Sequence, residues 1–150
     1  AHASIAGVPA LMTDKAAGLL LQKEIDAFNQ AFAKPQRPLI AIIGGAKVSD
    51  KLKVLQRLIG HADALLVGGG MAATFLKARG LPVGASLVED DLVDACAAML
   101  TDAEEKGTRL ELPTDVVVGE RIEAGTETRT IPASAIPGDG CGRAEQPSYR

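Results

Sequence analysis

Lys47 and Lys51 lie four residues apart, just after Gly44-Gly45 and Ala46. On a helix, residues at that spacing stack on one side of the first turns. The amide N–H groups at a helix start have no partner within the helix, and that end carries partial positive charge. Free amide donors, a positive helix end and two ammonium groups in one place would bind phosphate. A tight glycine turn followed by a solvated lysine face fits the same residues, and the local sequence leaves both readings open. A Walker A loop is excluded, because G-x-x-x-x-G-K-[ST] cannot be laid over this stretch.

The elements that must hold this place lie on either side of it. Pro38-Leu39-Ile40-Ala41-Ile42-Ile43 is a continuous apolar run bounded by proline and glycine, which reads as a buried strand of a parallel sheet. Val48, Leu52, Leu55 and Ile59 then recur at intervals of four, three and four, one stripe of an amphipathic helix. Gly60 can close that helix in the left-handed conformation. A second copy follows. Ala64-Leu65-Leu66-Val67 is a short strand and Gly68-Gly69-Gly70 a second glycine turn. Met71 to Arg79 is a helix with Phe75 and Leu76 inward, closed by Gly80. Strand–helix–strand–helix implies a parallel sheet with right-handed crossovers. Both glycine turns then fall at the carboxyl edge of the sheet, where ligands bind in open α/β folds.

Gly68-x-Gly70-x-x-Ala73 also satisfies the dinucleotide fingerprint G-x-G-x-x-[GA]. Its usual partner is an acidic residue ending the next strand, about twenty residues on. Glu89 has nearly that separation but sits where the next helix begins, so the fingerprint is not completed. Ser86 and Glu89 instead fit a capping box. The following helix carries Leu92, Cys96, Met99 and Ala103 on one face and ends at Gly107. Arg109 to Leu112 reads as a third strand, broken by Pro113-Thr114-Asp115, with Val116-Val117-Val118 as an apolar continuation. Gly119 to Pro132 alternates polar and apolar residues and suits an edge strand or hairpin. From Gly138 the apolar pattern stops, which predicts disorder. Upstream, Ala16 to Ala33 reads as a helix with Leu21, Ile25, Phe28 and Phe32 on one stripe, ended by Lys34-Pro35-Gln36-Arg37-Pro38.

The 150 residues amount to about one domain, and 47% of them are hydrophobic, enough for a core. With no Trp and few other aromatics, that core must be aliphatic and alanine-rich. A net charge of −3 argues against nucleic acid as a partner, so any phosphate affinity must be local. Cys96 and Cys141 lie far apart, as expected of a reducing, cytoplasmic setting. No apolar run approaches the ~20 residues of a membrane span. His2 and His61 have no ligand-spaced neighbours, so both read as surface residues and no metal site is expected.

Two long motifs carry a family resemblance. Gly44-Gly45-Ala46-Lys47-Val48-Ser49-Asp50-Lys51 and Leu66-Val67-Gly68-Gly69-Gly70-Met71-Ala72-Ala73-Thr74-Phe75-Leu76-Lys77 resemble phosphoglycerate kinase. So do Ala1-His2-Ala3-Ser4, Lys23-Glu24, Ser86-Leu87-Val88-Glu89 and Leu112-Pro113-Thr114-Asp115-Val116-Val117-Val118, in the same order as far as about Pro137. The resemblance implies an α/β fold, a Rossmann-like three-layer α/β/α arrangement around a parallel sheet, here truncated. It implies the tail of an amino-terminal domain over 1–15 and an interdomain helix over 16–33. Part of a nucleotide-binding domain would span 38–137, with a divergent tail over 138–150. The family's reaction moves a phosphoryl group between 1,3-bisphosphoglycerate and ADP, giving 3-phosphoglycerate and ATP, with Mg2+. By resemblance, Gly45 and Ala46 line the nucleotide, Lys47 reaches the transferred phosphoryl group as the catalytic residue, and Lys51 meets the nucleotide phosphates. Gly69 and Gly70 would approach the adenosine. The full-length enzyme is expected to be a monomer without nucleic-acid or membrane partners.

The resemblance also implies what is missing. An arginine that holds the phosphoglycerate would immediately precede Ala1, and the rest of the basic triose-phosphate surface would lie further upstream. The magnesium-side loop would follow Pro137, where this chain departs from the family; a truncation or a frame shift near Asp139 would explain the departure. The chain alone is therefore expected to be inactive. A non-catalytic nucleotide- or phosphate-binding module is the alternative.

Overall fold

The computed structural model describes residues 3–33, 35–119, 127–137 and 147–148. His2, Cys141, and most of the stretch expected to be a divergent tail lie outside the described residues. The chain divides into two compact units, Ala1–Gln36 and Arg37–Arg150.

The first unit is helical. A π-helical turn, Ala3–Gly7, leads into α1 (Val8–Leu11), and α2 spans Leu19–Ala33. The expected start at Ala16 is three residues too early: the first bond of α2 runs from the Gln22 amide to the Gly18 carbonyl at 2.9 Å. The Gln22 side chain donates to Asp26 one turn on, at 2.8 Å. Phe28 stacks on Phe32 with ring centroids 4.3 Å apart. No residue of α2 is buried, although its apolar stripe has the predicted spacing.

The second unit carries the sheet. Its elements are β1 (Ile40–Gly44), α3 (Leu52–Leu58), β2 (Ala64–Gly68), α4 (Met71–Ala78), α5 (Val93–Glu105) and β3 (Arg109–Glu111). The strands form one parallel sheet in the order β1-β2-β3, with Ile40 opposite Ala64, Gly44 opposite Gly68 and Leu65 opposite Leu110. The fold is α/β and Rossmann-like, as expected. Leu65, Val67 and Leu110 point into a core completed by Val48, Leu55, Phe75 and Cys96, all buried. Each large side chain fully buried there contributes about 1.5–3 kcal/mol. The alternate positions of β1, Ile40 and Ile42, are exposed. Gly60, Gly80 and Gly107 follow α3, α4 and α5 with φ of +82°, +78° and +72°, the left-handed closures expected of glycine.

Two sequence expectations are corrected here. The helix carrying Lys47 and Lys51 does not begin at the glycines: residues 45–51 form a turn and α3 starts at Leu52. The stripe survives, because Val48 is fully buried from within the turn. Nor do Val116-Val117-Val118 continue the third strand. They belong to β4 (Asp115–Gly119), which pairs antiparallel with β5 (Thr128–Pro132) and β6 (Pro147–Ser148) in a second sheet. Pro113, which has no amide to donate, separates the two sheets. β5 falls within the stretch 119–132 expected to form an edge strand or hairpin, but its partner β4 precedes that stretch.

At the amino edge of the parallel sheet, the Asp63 carboxylate accepts from the Leu39 amide at 2.6 Å and from Arg37 at 2.8 Å. The Arg37 guanidinium holds the Asp63 carboxyl below its ordinary range, helped by the Leu39 amide. Thr108 ties the sheet to α3. Its buried hydroxyl accepts from the Gly60 amide at 2.8 Å and donates to the Ala62 carbonyl at 2.9 Å.

Candidate functional site

The opposite, carboxyl edge of the sheet holds both glycine turns. β1 and β2 end in register at Gly44 and Gly68, so the turns leave the sheet side by side. The Met71 amide, at the start of α4, donates to the Gly45 carbonyl at 2.9 Å. Gly69 has φ +69°, and a Cβ built there would lie 2.9 Å from the Gly45 oxygen and 3.0 Å from its nitrogen. A Cβ on Gly70 would lie 3.1 Å from the Ala46 oxygen. The two turns therefore interlock backbone to backbone, and side chains at 69 or 70 would force them apart. Gly45, Ala46, Gly69 and Gly70 form one continuous patch of main chain.

Lys47 and Lys51 are exposed on the first turn. Neither rides on α3, which is seven residues long and begins after both. Positive charge at this edge thus comes from the two ammonium groups more than from a helix end.

Nor are all the amide donors of this turn free. The Glu89 carboxylate accepts from the amides of Val48 at 2.5 Å and Ser49 at 3.1 Å, both at Oε2. Its Oε1 accepts from the Ser49 hydroxyl at 2.5 Å. The Glu89 amide in turn donates to Thr74 Oγ1 at 3.2 Å, and Thr74 is buried on α4. These bonds give the amides of the turn before α3 acceptors on a residue about 40 positions away. The Ser49 hydroxyl, followed by the two amides and the charge of Lys47, holds the Glu89 carboxyl below its ordinary range against the opposing effect of burial.

The capping box expected of Ser86 and Glu89 is not formed. A 3-10 turn, Asp90–Leu92, opens the way into α5 with no side-chain cap, and the Ser86 hydroxyl is buried without a partner among the described residues. The same geometry accounts for the incomplete dinucleotide fingerprint, since the acidic residue at about the right distance faces the neighbouring turn. Sequence reading sets Glu89 aside as a dinucleotide partner and gives it a capping role that it does not have. Its actual contact spans too many residues for periodicity or local motifs to register. The one available signal was the run of amides after Gly45, which required acceptors from somewhere.

The edge thus offers close-packed glycine backbone beside two exposed ammonium groups, an arrangement suited to a polyanion with a flat attached group. Among the described residues no group of three or more His, Cys, Asp or Glu side chains could hold a metal ion. No helix among them is long and apolar enough to cross a membrane.

Comparison with known proteins gives this edge a context. A family model described as phosphoglycerate kinase matches residues 1–143. The phosphoglycerate kinase of Rubrobacter xylanophilus is 54% identical over 137 residues, which are 91% of this chain and 34% of that protein. That of Thermus thermophilus is 52% identical over 137 residues, 91% of this chain and 35% of that protein. The solved structure of phosphoglycerate kinase from Coxiella burnetii superposes with a TM-score of 0.81 at 39% identity, covering 93% of this chain and 36% of that one. The chain spans about a third of the length of the curated relatives it matches.

Proposed function

The chain belongs to the phosphoglycerate kinase family, and from that premise we propose that it forms the first half of the nucleotide side of such an enzyme. The reaction is phosphoryl transfer between 1,3-bisphosphoglycerate and ADP, giving 3-phosphoglycerate and ATP. The observation that carries this reading is the interlocked pair of glycine turns, with Lys47 and Lys51 exposed on the first of them. Gly45 and Ala46 line the nucleotide, and Gly69 and Gly70 approach the adenosine. Lys51 neutralises the nucleotide phosphates. Lys47 is the catalytic residue, meeting the phosphoryl group in transit.

The chemistry supports this division of labour. Phosphoryl transfer asks the protein for positioning and for positive charge around the equatorial oxygens, and for little covalent work. A lysine at the transferred group acts where charge develops, so its loss lowers turnover. One at the resting phosphates acts on ground and transition states alike, so its loss weakens binding. Magnesium would arrive with the nucleotide. The described residues of this chain offer it no carboxylate cage, and neither lysine's role passes through it.

Because the chain spans about a third of the length of these relatives, we expect no turnover from it alone. We further propose a cytoplasmic setting, and a monomer at full length. The test on the chain as it stands is a proton–nitrogen spectrum with and without magnesium-ADP. Shifts concentrated at Gly45, Lys51 and Gly70 are expected, and a dispersed spectrum indifferent to nucleotide would sink the proposal. The lysines are separated in a chimaera in which residues 1–137 replace the matching segment of the Thermus thermophilus relative. Lys47→Ala should lower kcat on the order of a hundredfold, while Lys51→Ala mainly raises the KM for ADP. Losses confined to KM in both variants would remove the catalytic assignment of Lys47 and favour a module that only binds nucleotide.

A further inference from the structure

We infer that Glu89 is a positioning residue: its carboxylate stands in as a permanent internal anion on the amides of Val48 and Ser49, so that Lys47 and Lys51 are held in place before any nucleotide arrives. The inference deepens the nucleotide reading above and rests on it.

Three bonds converge on one side chain. Val48 and Ser49 donate their amides to Oε2, and the Ser49 hydroxyl donates to Oε1. Val48 and Ser49 sit between the two lysines in the chain, so the carboxylate grips the middle of the segment that carries both charges. Val48 is itself fully buried, which anchors the segment from below while Glu89 anchors it from the side. Without the carboxylate, two amides of an exposed turn would be left to water, and residues 46–51 would lose their fixed path.

Through its backbone amide and its side chain together, Glu89 also joins the two glycine turns. The Glu89 amide donates to Thr74 on α4, the helix that leaves the second turn, while the side chain holds the first. Together with the Met71–Gly45 bond this makes two independent ties between the turns, one at the glycines and one a few residues beyond them.

A consequence concerns which groups recognise phosphate. Donors already committed to Glu89 are not available to a ligand. Recognition at this edge therefore falls to the ammonium groups of Lys47 and Lys51 and to the backbone of Gly45 and Ala46, and not to the amides of Val48 and Ser49. Lys47 faces opposing demands: the Glu89 charge attracts it, and an incoming polyphosphate must compete for it. A fixed turn limits how far Lys47 can follow Glu89 and keeps it available.

The experiment compares the 150-residue chain with Glu89→Gln and Ser49→Ala. Each is read by backbone amide order in residues 46–51 and by magnesium-ADP affinity in the same spectra. Glutamine keeps the shape and removes the charge; alanine at 49 removes one of the three bonds and tests the same grip if Glu89→Gln fails to fold. Loosening of 46–51 is expected in both, greater for Glu89→Gln, with ADP affinity falling about tenfold in that variant and core amides such as Leu65 unmoved. Unchanged order in 46–51 would overturn the inference, as would a loosened turn that binds ADP as tightly as before. If the unaltered chain binds no ADP, the nucleotide reading fails on its own, and the order of 46–51 still decides whether Glu89 holds the turn.

Discussion

The two glycine turns come from the same sequence pattern, a short apolar strand, consecutive glycines and a helix, yet they are built on different grounds. The second leads straight into a buried helix, Met71 to Leu76 all being buried, and although Gly69 is exposed and Gly70 half-buried, both are required because another stretch of backbone lies against them. The first is exposed, charged and held from outside by Glu89. One turn is therefore held by backbone packed against it, a scaffold, and the other presents exposed charge, a surface. A glycine in such a motif can be demanded by the protein's own packing before any ligand is considered, and Gly69 and Gly70 are demanded in that way.

That asymmetry breaks most directly at Gly69. Gly69→Ala meets both a left-handed backbone and the Gly45 main chain, and should destabilise the chain by about 3 kcal/mol, read from the urea unfolding midpoint. Gly70→Ala has an ordinary backbone, with φ −57°, but presses on the Ala46 oxygen at 3.1 Å. A loss of about 1–2 kcal/mol is expected, with amide shifts spreading into Ala46 of the first turn. Acidification loosens the first turn selectively. The folded Glu89 carboxyl titrates below its ordinary value of 4.5, so its contribution is complete above that pH and disappears as pH falls through the depressed value. Amide shifts of Val48 and Ser49 should follow that titration, and Glu89→Gln should abolish it; a midpoint at or above the ordinary value would remove the grip. The smallest effect is expected at Gly45→Ala, where the nearest atom to a new Cβ is Met71 Sδ at 3.8 Å. Stability should stay within about 0.5 kcal/mol while ADP affinity falls. If Gly45→Ala costs as much stability as Gly69→Ala, the distinction between scaffold and surface is wrong.

Much of the fold was legible because the signals are local. Apolar runs placed β1 and β2, stripes placed α4 and α5, and glycines marked where three helices close. The four glycine and alanine positions singled out as nucleotide-lining do come together at one edge. What failed to show was long-range. The segment expected to be a lysine-bearing helix is a turn, and its amides are held by a carboxylate far along the chain that no local pattern reveals. The break after β3 was visible at Pro113, but nothing local said that Val116 to Val118 would pair antiparallel in a separate sheet. The stripe of α2 was read correctly and still is not buried, because periodicity reports which face seeks cover and not what covers it.

Cys96 turns this architecture into a clock. Its thiol is fully buried on α5 and pushed up to about 11, first by burial and then by the negative charge of Glu89. Alkylating reagents need an accessible thiolate, and the closed structure denies them both the access and the ionisation. Modification of Cys96, followed peptide by peptide in a mass spectrometer, therefore counts the moments at which α5 lifts away from the sheet. The protein carries a built-in site at which a reagent records how often the scaffold behind the glycine turns comes apart.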